Sequence, residues 1–457
     1  MTSDARAGFD TDSFPPSRYA WYVVAVLTLA NVSAFVDRQV LALLVAPVRR
    51  DLAITDTQVG TLYGLAFAAS FILFGIPIGR LADRGSRRAI IAAGIAVWSV
   101  MTVLCGLART YEQLLFARVG VGIGEAALAA PALSLLADYF PSSRRATALS
   151  VYSLGVFLGA GLANLVGGAV LTRLAEAEAV VLPLVGEVRP WQSVFVIVGV
   201  PGILIALLMA SVREPRRLET GQARDAAPFT IREVWAYLRA NRRTFLCHNV
   251  GYALFALVNF ATAGWLPTNL VRTYGWSAAQ AGLVLGTLTV TVGVLGVVVG
   301  GRLADAMLER GRTDAKLRVG VIAAVANIGF GVAYTLAPTA PLAVAALVPY
   351  NFFASFAFGA AVAAIQEVTP NRMRAQVAAI YASTITLVGL GLGPSIIGLL
   401  TDRVFGTDSA VRYSLLVVTV VGLASAATVL AAGLAPYRRS VEYRASWRGP
   451  VSASETR

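Results

Sequence analysis

Four ionisable residues lie where an apolar chain accommodates charge least easily. Asp37 and Arg38 adjoin within Phe35-Val36-Asp37-Arg38-Gln39-Val40-Leu41, and Arg118 and Glu125 stand seven apart in Arg118-Val119-Gly120-Val121-Gly122-Ile123-Gly124-Glu125. On a helix that spacing is two turns along one face, so Arg118 and Glu125 can act together. Adjacent helical residues point ~100° apart, so Asp37 and Arg38 do not readily neutralise each other, and each needs another partner or water. Charge at membrane depth is costly unless paired or hydrated, which makes these residues functional candidates by default. A carboxylate beside a guanidinium suits proton exchange: burial favours the acid, the cation favours the carboxylate, and motion can tip the balance. A triangle of Asp37, Arg118 and Glu125 is therefore the expected proton site, reached from a cavity rather than from lipid because the glycines around it let another helix come close. The competing reading is a structural ion pair that fastens the first helix to its neighbours.

The elements that must hold these groups are membrane spans. With 57% hydrophobic and 14% charged residues, and a mean hydropathy of +0.70, the 457-residue chain lacks the polar surface to cover a soluble globule. A span needs ~20 mainly apolar residues. Apolar runs predict twelve helices, at 20–46, 57–81, 88–108, 112–139, 145–171, 191–212, 244–272, 278–305, 317–337, 341–368, 375–401 and 412–435. The organisation follows as a tail (1–19), six helices (20–212), a polar linker (213–243) with an amphipathic helix near Ile231–Leu238, six more helices (244–435) and a second tail (436–457). No apolar core or cleavage site of a signal peptide occurs in the first twenty residues, and the N-terminus is expected to stay inside. With that start, 28 of the 38 basic residues fall on the inner side and eight on the outer, so both ends are expected in the cytoplasm of a bacterial inner membrane. The net charge of +13 is thus read as topology rather than nucleic-acid binding, since no aromatic residues interleave a basic patch.

The two halves repeat. Gly79-Arg80-Leu81-Ala82-Asp83 recurs as Gly301-Arg302-Leu303-Ala304-Asp305, and Pro141 with Arg145-Ala146 is echoed by Pro370 with Arg374-Ala375. Two matches at equivalent places indicate duplication. Displaced by the second offset, the positions of Arg118 and Glu125 hold Leu347 and Ala354. Charge chemistry is therefore expected in the first half, opposite an apolar wall with Asn259, Asn351, Ser355 and Thr386 as polar cavity candidates. Glycines crowd 155–168 and 389–398, a pattern that close helix packing alone would also produce.

The segment Gly79-Arg80-Leu81-Ala82-Asp83-Arg84-Gly85-Ser86-Arg87-Arg88 resembles the signature loop of the major facilitator superfamily. That resemblance implies an all-α membrane protein of twelve transmembrane helices in two pseudo-symmetric six-helix bundles. It also implies an inner gate in which Gly79 permits close helix approach, Asp83 faces a helix N-terminus, and Arg80, Arg84 and their neighbours pair with carboxylates such as Asp138. Gly301 and Asp305 serve equivalently in the second half. The plainer alternative is a solvated basic turn. Within the superfamily, Phe35-Val36-Asp37-Arg38-Gln39, Gly75-Ile76-Pro77-Ile78-Gly79-Arg80-Leu81-Ala82-Asp83 and Gly122-Ile123-Gly124-Glu125-Ala126 resemble the Spinster-like branch. Members of that branch are implicated in moving lysophospholipids and sphingoid phosphates. Carried over, Asp37 and Glu125 become the protonated carboxylates and Arg118 their partner, while Arg38 reads an anionic head group.

The function so implied is secondary active transport by alternating access, coupled to protons, of an amphiphilic anion. Organic-anion/cation symport or small-molecule export is the alternative, and a scaffold without transport is the reading from a different class. No phosphate-cradling loop points to ATP. His248, the single histidine, can assemble neither a metal site nor a hydrolase triad and reads as a buried structural group. No enzyme activity, cofactor, metal or nucleic-acid partner is expected. The expected partners are protons, membrane lipid and an anionic small molecule, and the expected state is a monomer.

Overall fold

Inside a membrane every backbone N–H and C=O must be satisfied within its own segment, which leaves helices as the solution for apolar runs of this length. A computed structural model describes residues 14–447 except 175, 176, 178, 183–185, 216–230, 371 and 372. Expectations for residues 1–13, the middle of the linker and 448–457 lie outside the described residues. Among the described residues, twelve helices are long and apolar enough to cross a membrane: α1 (Ser17–Leu43), α2 (Asp56–Arg84), α3 (Arg87–Cys105), α4 (Tyr111–Tyr139), α5 (Thr147–Arg173), α6 (Pro190–Ser211), α7 (Arg242–Tyr274), α8 (Ala278–Glu309), α9 (Ala315–Leu336), α10 (Ala340–Glu367), α11 (Gln376–Phe405) and α12 (Asp408–Ser446). Their number and positions match the windows expected from hydropathy.

The chain divides into two units whose boundaries differ from a cut at the linker. One comprises residues 1–41 and 69–225, the other 42–68 and 226–457. The far ends of α1 and α2, on the side opposite the chain ends, thus belong to the second unit. Both transfers occur near helical irregularities: α1 tightens to a 3₁₀ turn over Val40–Leu43, and α2 widens to a π turn over Thr61–Leu65. Such departures mark places where a helix can bend.

In the first unit α3 is the central post, packed on α4 and α6, while α1 packs along α5. Small residues make this possible. A Cβ on Gly124 would lie 2.6 Å from the backbone nitrogen of Trp98, and one on Gly159 2.6 Å from the Val32 carbonyl. Asn31 fastens α1 to α5 by donating to the Tyr152 carbonyl at 3.0 Å. Between α5 and α6 a short antiparallel hairpin pairs β1 (Val180–Leu182) with β2 (Gly186–Val188), an element that hydropathy does not signal.

The second unit repeats these pairings, with α9 against α10 and α12 and α7 along α11. Repetition reaches the irregularities: α8 has a π turn at Thr289–Gly293, the counterpart of that in α2. α4 breaks between Glu125 and Ala129, and α10 breaks at Ala357. The far end of α2 joins this unit closely, since a Cβ on Gly64 would lie 2.5 Å from the Gly391 carbonyl. The amphipathic helix Ile231–Ala240 docks here as well, with Tyr237 donating to the Val368 carbonyl at 2.8 Å. Its end of the linker therefore belongs to the second unit, while Glu214 at the other end belongs to the first. The expected tail from 436 is corrected: α12 continues through Pro436 to Ser446, held by buried Tyr437 and by Ser440 in hydrogen-bond contact with Thr244 at 2.7 Å.

Candidate functional site

The four charged residues of α1 and α4 meet inside the first unit. Asp37 and Arg38 sit in the last α-helical turn of α1, which ends at Gln39 before its 3₁₀ turn, and Glu125 ends the first segment of α4. Gly120 packs on Met101, and Gly124 on Trp98, which draws α4 onto α3. Asp37, Arg118 and Glu125 are essentially fully buried. Arg38 keeps 19% of its side chain exposed.

The pairing among them differs from the expected triangle. Arg38, rather than Arg118, makes the ion pair with Glu125, donating from Nε to Oε2. Arg118 instead donates from Nη1 to the Asp37 backbone carbonyl at 3.1 Å. The physical reason is reach. α1 presents Arg38 across to the α4 break, where the exposed carbonyl end of a helical segment favours a cation. Two turns along α4 leave Arg118 beside the loosened carbonyls of α1. The Arg38 guanidinium also lies 4.7 Å from the Phe35 ring centre and 5.4 Å from that of Phe71. Among the described residues, none donates a hydrogen bond to either oxygen of Asp37 or to Glu125 Oε1. Thr102 lies beside Asp37, a neighbour with no signal in the sequence. Buried charge with so few hydrogen bonds is stable only while opposite charge stays near or a proton neutralises it.

At the end of the first unit nearest the chain termini, the expected gate residues distribute unevenly. Asp138 is paired, and its partner is Arg87, which donates also to Glu214 at 2.8 Å. Arg87 is 2% exposed and is the hub of this cluster, although sequence gave no reason to single it out from Arg88. Burial pushes the Glu214 carboxyl up, but hydrogen bonds from the Arg88 N–H, Arg87 and Ser86 outweigh it and hold Glu214 below the ordinary glutamate range. Its stabilising contribution is therefore present at neutral pH and fades as pH falls through that lowered value. Arg80, Asp83, Arg84 and Asp305 are exposed. Among the described residues, Gly79 and Gly301 have no atom beyond their own helix backbone within 4 Å of an added Cβ.

In the second unit Asn259 donates to the Ala354 carbonyl at 3.1 Å, and Asn351 to the Leu347 carbonyl of its own helix. Ser355 and Thr386 are half-buried. Near them stand phenyl rings, with Phe330 stacked on Phe353 at 6.0 Å and Phe353 at 5.4 Å from Phe356. His248 is buried, with Nε2 2.9 Å from the Ala361 carbonyl and its ring between Tyr252 and Tyr381. One cluster escaped sequence reasoning. Buried Asp56 takes both terminal nitrogens of Arg272 at 2.6 and 2.8 Å, and Arg49 lies 3.1 Å away. Asp56 and Arg272 are 216 apart in sequence, and the two arginines read only as topology markers.

Residues 27–394 match the Major Facilitator Superfamily. An MFS-type efflux pump of Mycolicibacterium smegmatis is 30% identical over 96% of this chain and 99% of its own length. Protein spinster homolog 1 of Homo sapiens is 29% identical over 62% of this chain and 54% of its length. The Sphingosine-1-phosphate transporter SPNS2 of Danio rerio is 26% identical over 60% and 55%. The chain thus matches about half the length of these two relatives. A bacterial homolog of the human lysosomal transporter Spinster, solved in an inward-facing and unoccupied conformation, superposes with a TM-score of 0.76 at 27% identity, covering 96% of this chain and all of that one.

Proposed function

The chain belongs to the Major Facilitator Superfamily, in its Spinster-like branch, and from that premise we propose that it moves an amphiphilic anion such as a lysophospholipid or sphingoid phosphate, driven by protons. It is a multi-pass membrane transporter and not an enzyme. One observation carries the finer reading: a buried four-residue charge group in which Arg38 alone keeps a solvent-accessible face, flanked by phenyl rings. A guanidinium in that setting binds a phosphate or carboxylate through paired N–H groups while the rings tolerate an adjoining chain. The relative named as a sphingosine-1-phosphate transporter supports this substrate class.

In this mechanism Glu125 exchanges its bond to Arg38 for a proton. The released guanidinium then takes the substrate anion, and Asp37 offers a second carboxylate on the same turn of α1. The Glu125 carboxylate and the substrate anion thereby compete for one arginine, so protonation of Glu125 favours anion binding and couples the two movements. The α1 and α4 irregularities are the bending points as the site changes access from one side to the other. At the end nearest the chain termini, the Arg87–Asp138–Glu214 cluster acts as a latch, with Arg80, Asp83 and Arg84 lining the turn beside it. Both chain ends lie in the cytoplasm of an inner membrane, in keeping with the basic-residue bias.

A second reading, small-molecule export, is favoured by the efflux-pump relative that matches nearly the whole chain. Flux in proteoliposomes separates the readings. A lysophospholipid and a sphingoid phosphate are expected to be transported, faster under an imposed proton gradient, with a sugar acid inert. Saturable sugar-acid or drug transport with the lipids inert would overturn the proposal.

A further inference from the structure

A cavity of about 500 Å³ opens at the end of the second unit nearest the chain termini, between α8, α9 and α12. Arg310, Arg312 and Arg318 supply its polar lining, and Val321, Ile322 and Leu434 apolar lining. Gly311 builds the polar side. Its φ of +80° lets α8 end in a tight reversal, closed by bonds from the Gly311 N–H to the Leu308 carbonyl and from the Arg312 N–H to the Met307 carbonyl. The reversal holds Arg310 and Arg312 beside the first turn of α9, which carries Arg318. Asp314 fixes Arg318 at 2.7 Å and lies 3.4 Å from Arg438. Asp305, Glu309 and Asp314 are the acids of residues 305–318, against Arg310, Arg312, Lys316 and Arg318 there and Arg438 from α12, so the cluster keeps a positive balance.

The apolar side continues into the span. Along α9, Ile322 is 36% and Val325 56% exposed, and Gly329 one turn further has open space at its Cβ position. Together they form a track ~10 Å long descending from the arginines.

We propose that this cavity binds an anionic phospholipid, its phosphate held by Arg310, Arg312 and Arg318 and one acyl chain lying on Ile322, Val325 and Gly329. Three guanidinium forks at the polar boundary match phosphate oxygens, and the exposed face of α9 matches the chain that must follow them into hydrocarbon. This site is separate from the α1 and α4 charge group and does not depend on the transported substrate.

Native mass spectrometry of the purified full-length protein in detergent tests it, by titration with cardiolipin and with phosphatidylcholine. Cardiolipin is expected to bind preferentially. Arg310→Gln/Arg312→Gln, which leaves the Arg318–Asp314 pair intact, should weaken cardiolipin binding about thirtyfold. Arg242→Gln/Arg243→Gln removes two exposed arginines from the same side of the protein and should leave it unchanged. Equal loss in both variants, or no preference for cardiolipin, would overturn the proposal. Displacement of the lipid by millimolar glycerol phosphate would identify a head-group anion site instead and would equally overturn it.

Discussion

Arg38 does two jobs through the shape of its side chain, bonding Glu125 while lying against Phe35 and Phe71. Lysine keeps the charge but replaces a planar fork with a compact, strongly hydrated ammonium. Arg38→Lys should therefore reduce lysolipid flux in proteoliposomes about tenfold while leaving thermal stability nearly unchanged, the loss reflecting ~1 kcal/mol or more from ring contact and bond geometry. Flux equal to wild type would make Arg38 a simple counter-charge. That Asp37, Arg38, Arg118 and Glu125 form one group was legible from their depth and spacing. Which arginine meets Glu125 was not, because a guanidinium on a long stem can reach several partners, and the choice depends on the break in α4 and the 3₁₀ turn in α1. Arg87 was missed for the same reason: beside Arg88 it reads as one more basic residue, and its importance comes from the way the linker brings Glu214 to it.

At the scale of elements, glycine letters alone did not distinguish packing from topology. Gly79 sits in the most recognisable motif of the chain, yet no described atom beyond its own helix backbone lies within 4 Å of an added Cβ, whereas Gly124 is pressed against the α3 backbone. Gly124→Ala should force α3 and α4 apart at a cost of ~1–3 kcal/mol, lowering the melting temperature in detergent and reducing transport, because Glu125 is the next residue. Gly79→Ala should be neutral or slightly stabilising in the same melt. Equal shifts in the two variants would contradict this account of the packing. Span number, the linker helix and the repeat were all legible, since hydropathy and repeated letters are local signals. The hairpin, the continuation of α12 and the π turns were not. They follow from tertiary contacts, such as those of Tyr437 and Ser440, that outweigh local polarity.

For the whole molecule, duplication supplied two frames with the same helix pairings and the same breaks in α4 and α10, but the charged pair survives in one. Where α4 has Arg118 and Glu125, α10 has Leu347 and Ala354. A symmetric scaffold with an asymmetric charge suits the proposed mechanism, in which one proton-exchanging group would bias a change of access shared by both halves. The Asp56, Arg49 and Arg272 cluster adds a second buried contact at the far side, joining the loop after α1 to α7 within the second unit. Sequence distance hid it, as it hid the transfer of residues 42–68 to that unit.

The central claim is that proton exchange at Glu125 controls the change of access. Spin-label distances test it most directly, with one pair at Arg144→Cys and Arg302→Cys, on the expected cytoplasmic side, and another at Arg109→Cys and Arg403→Cys, on the expected outer side, all of them exposed positions. Between pH 8 and pH 5 both distance distributions are expected to shift, in opposite senses, in a background that is otherwise wild type. Glu125→Gln is expected to abolish that response, holding both distributions at one state across the range. A response in Glu125→Gln equal to that of wild type would contradict the account.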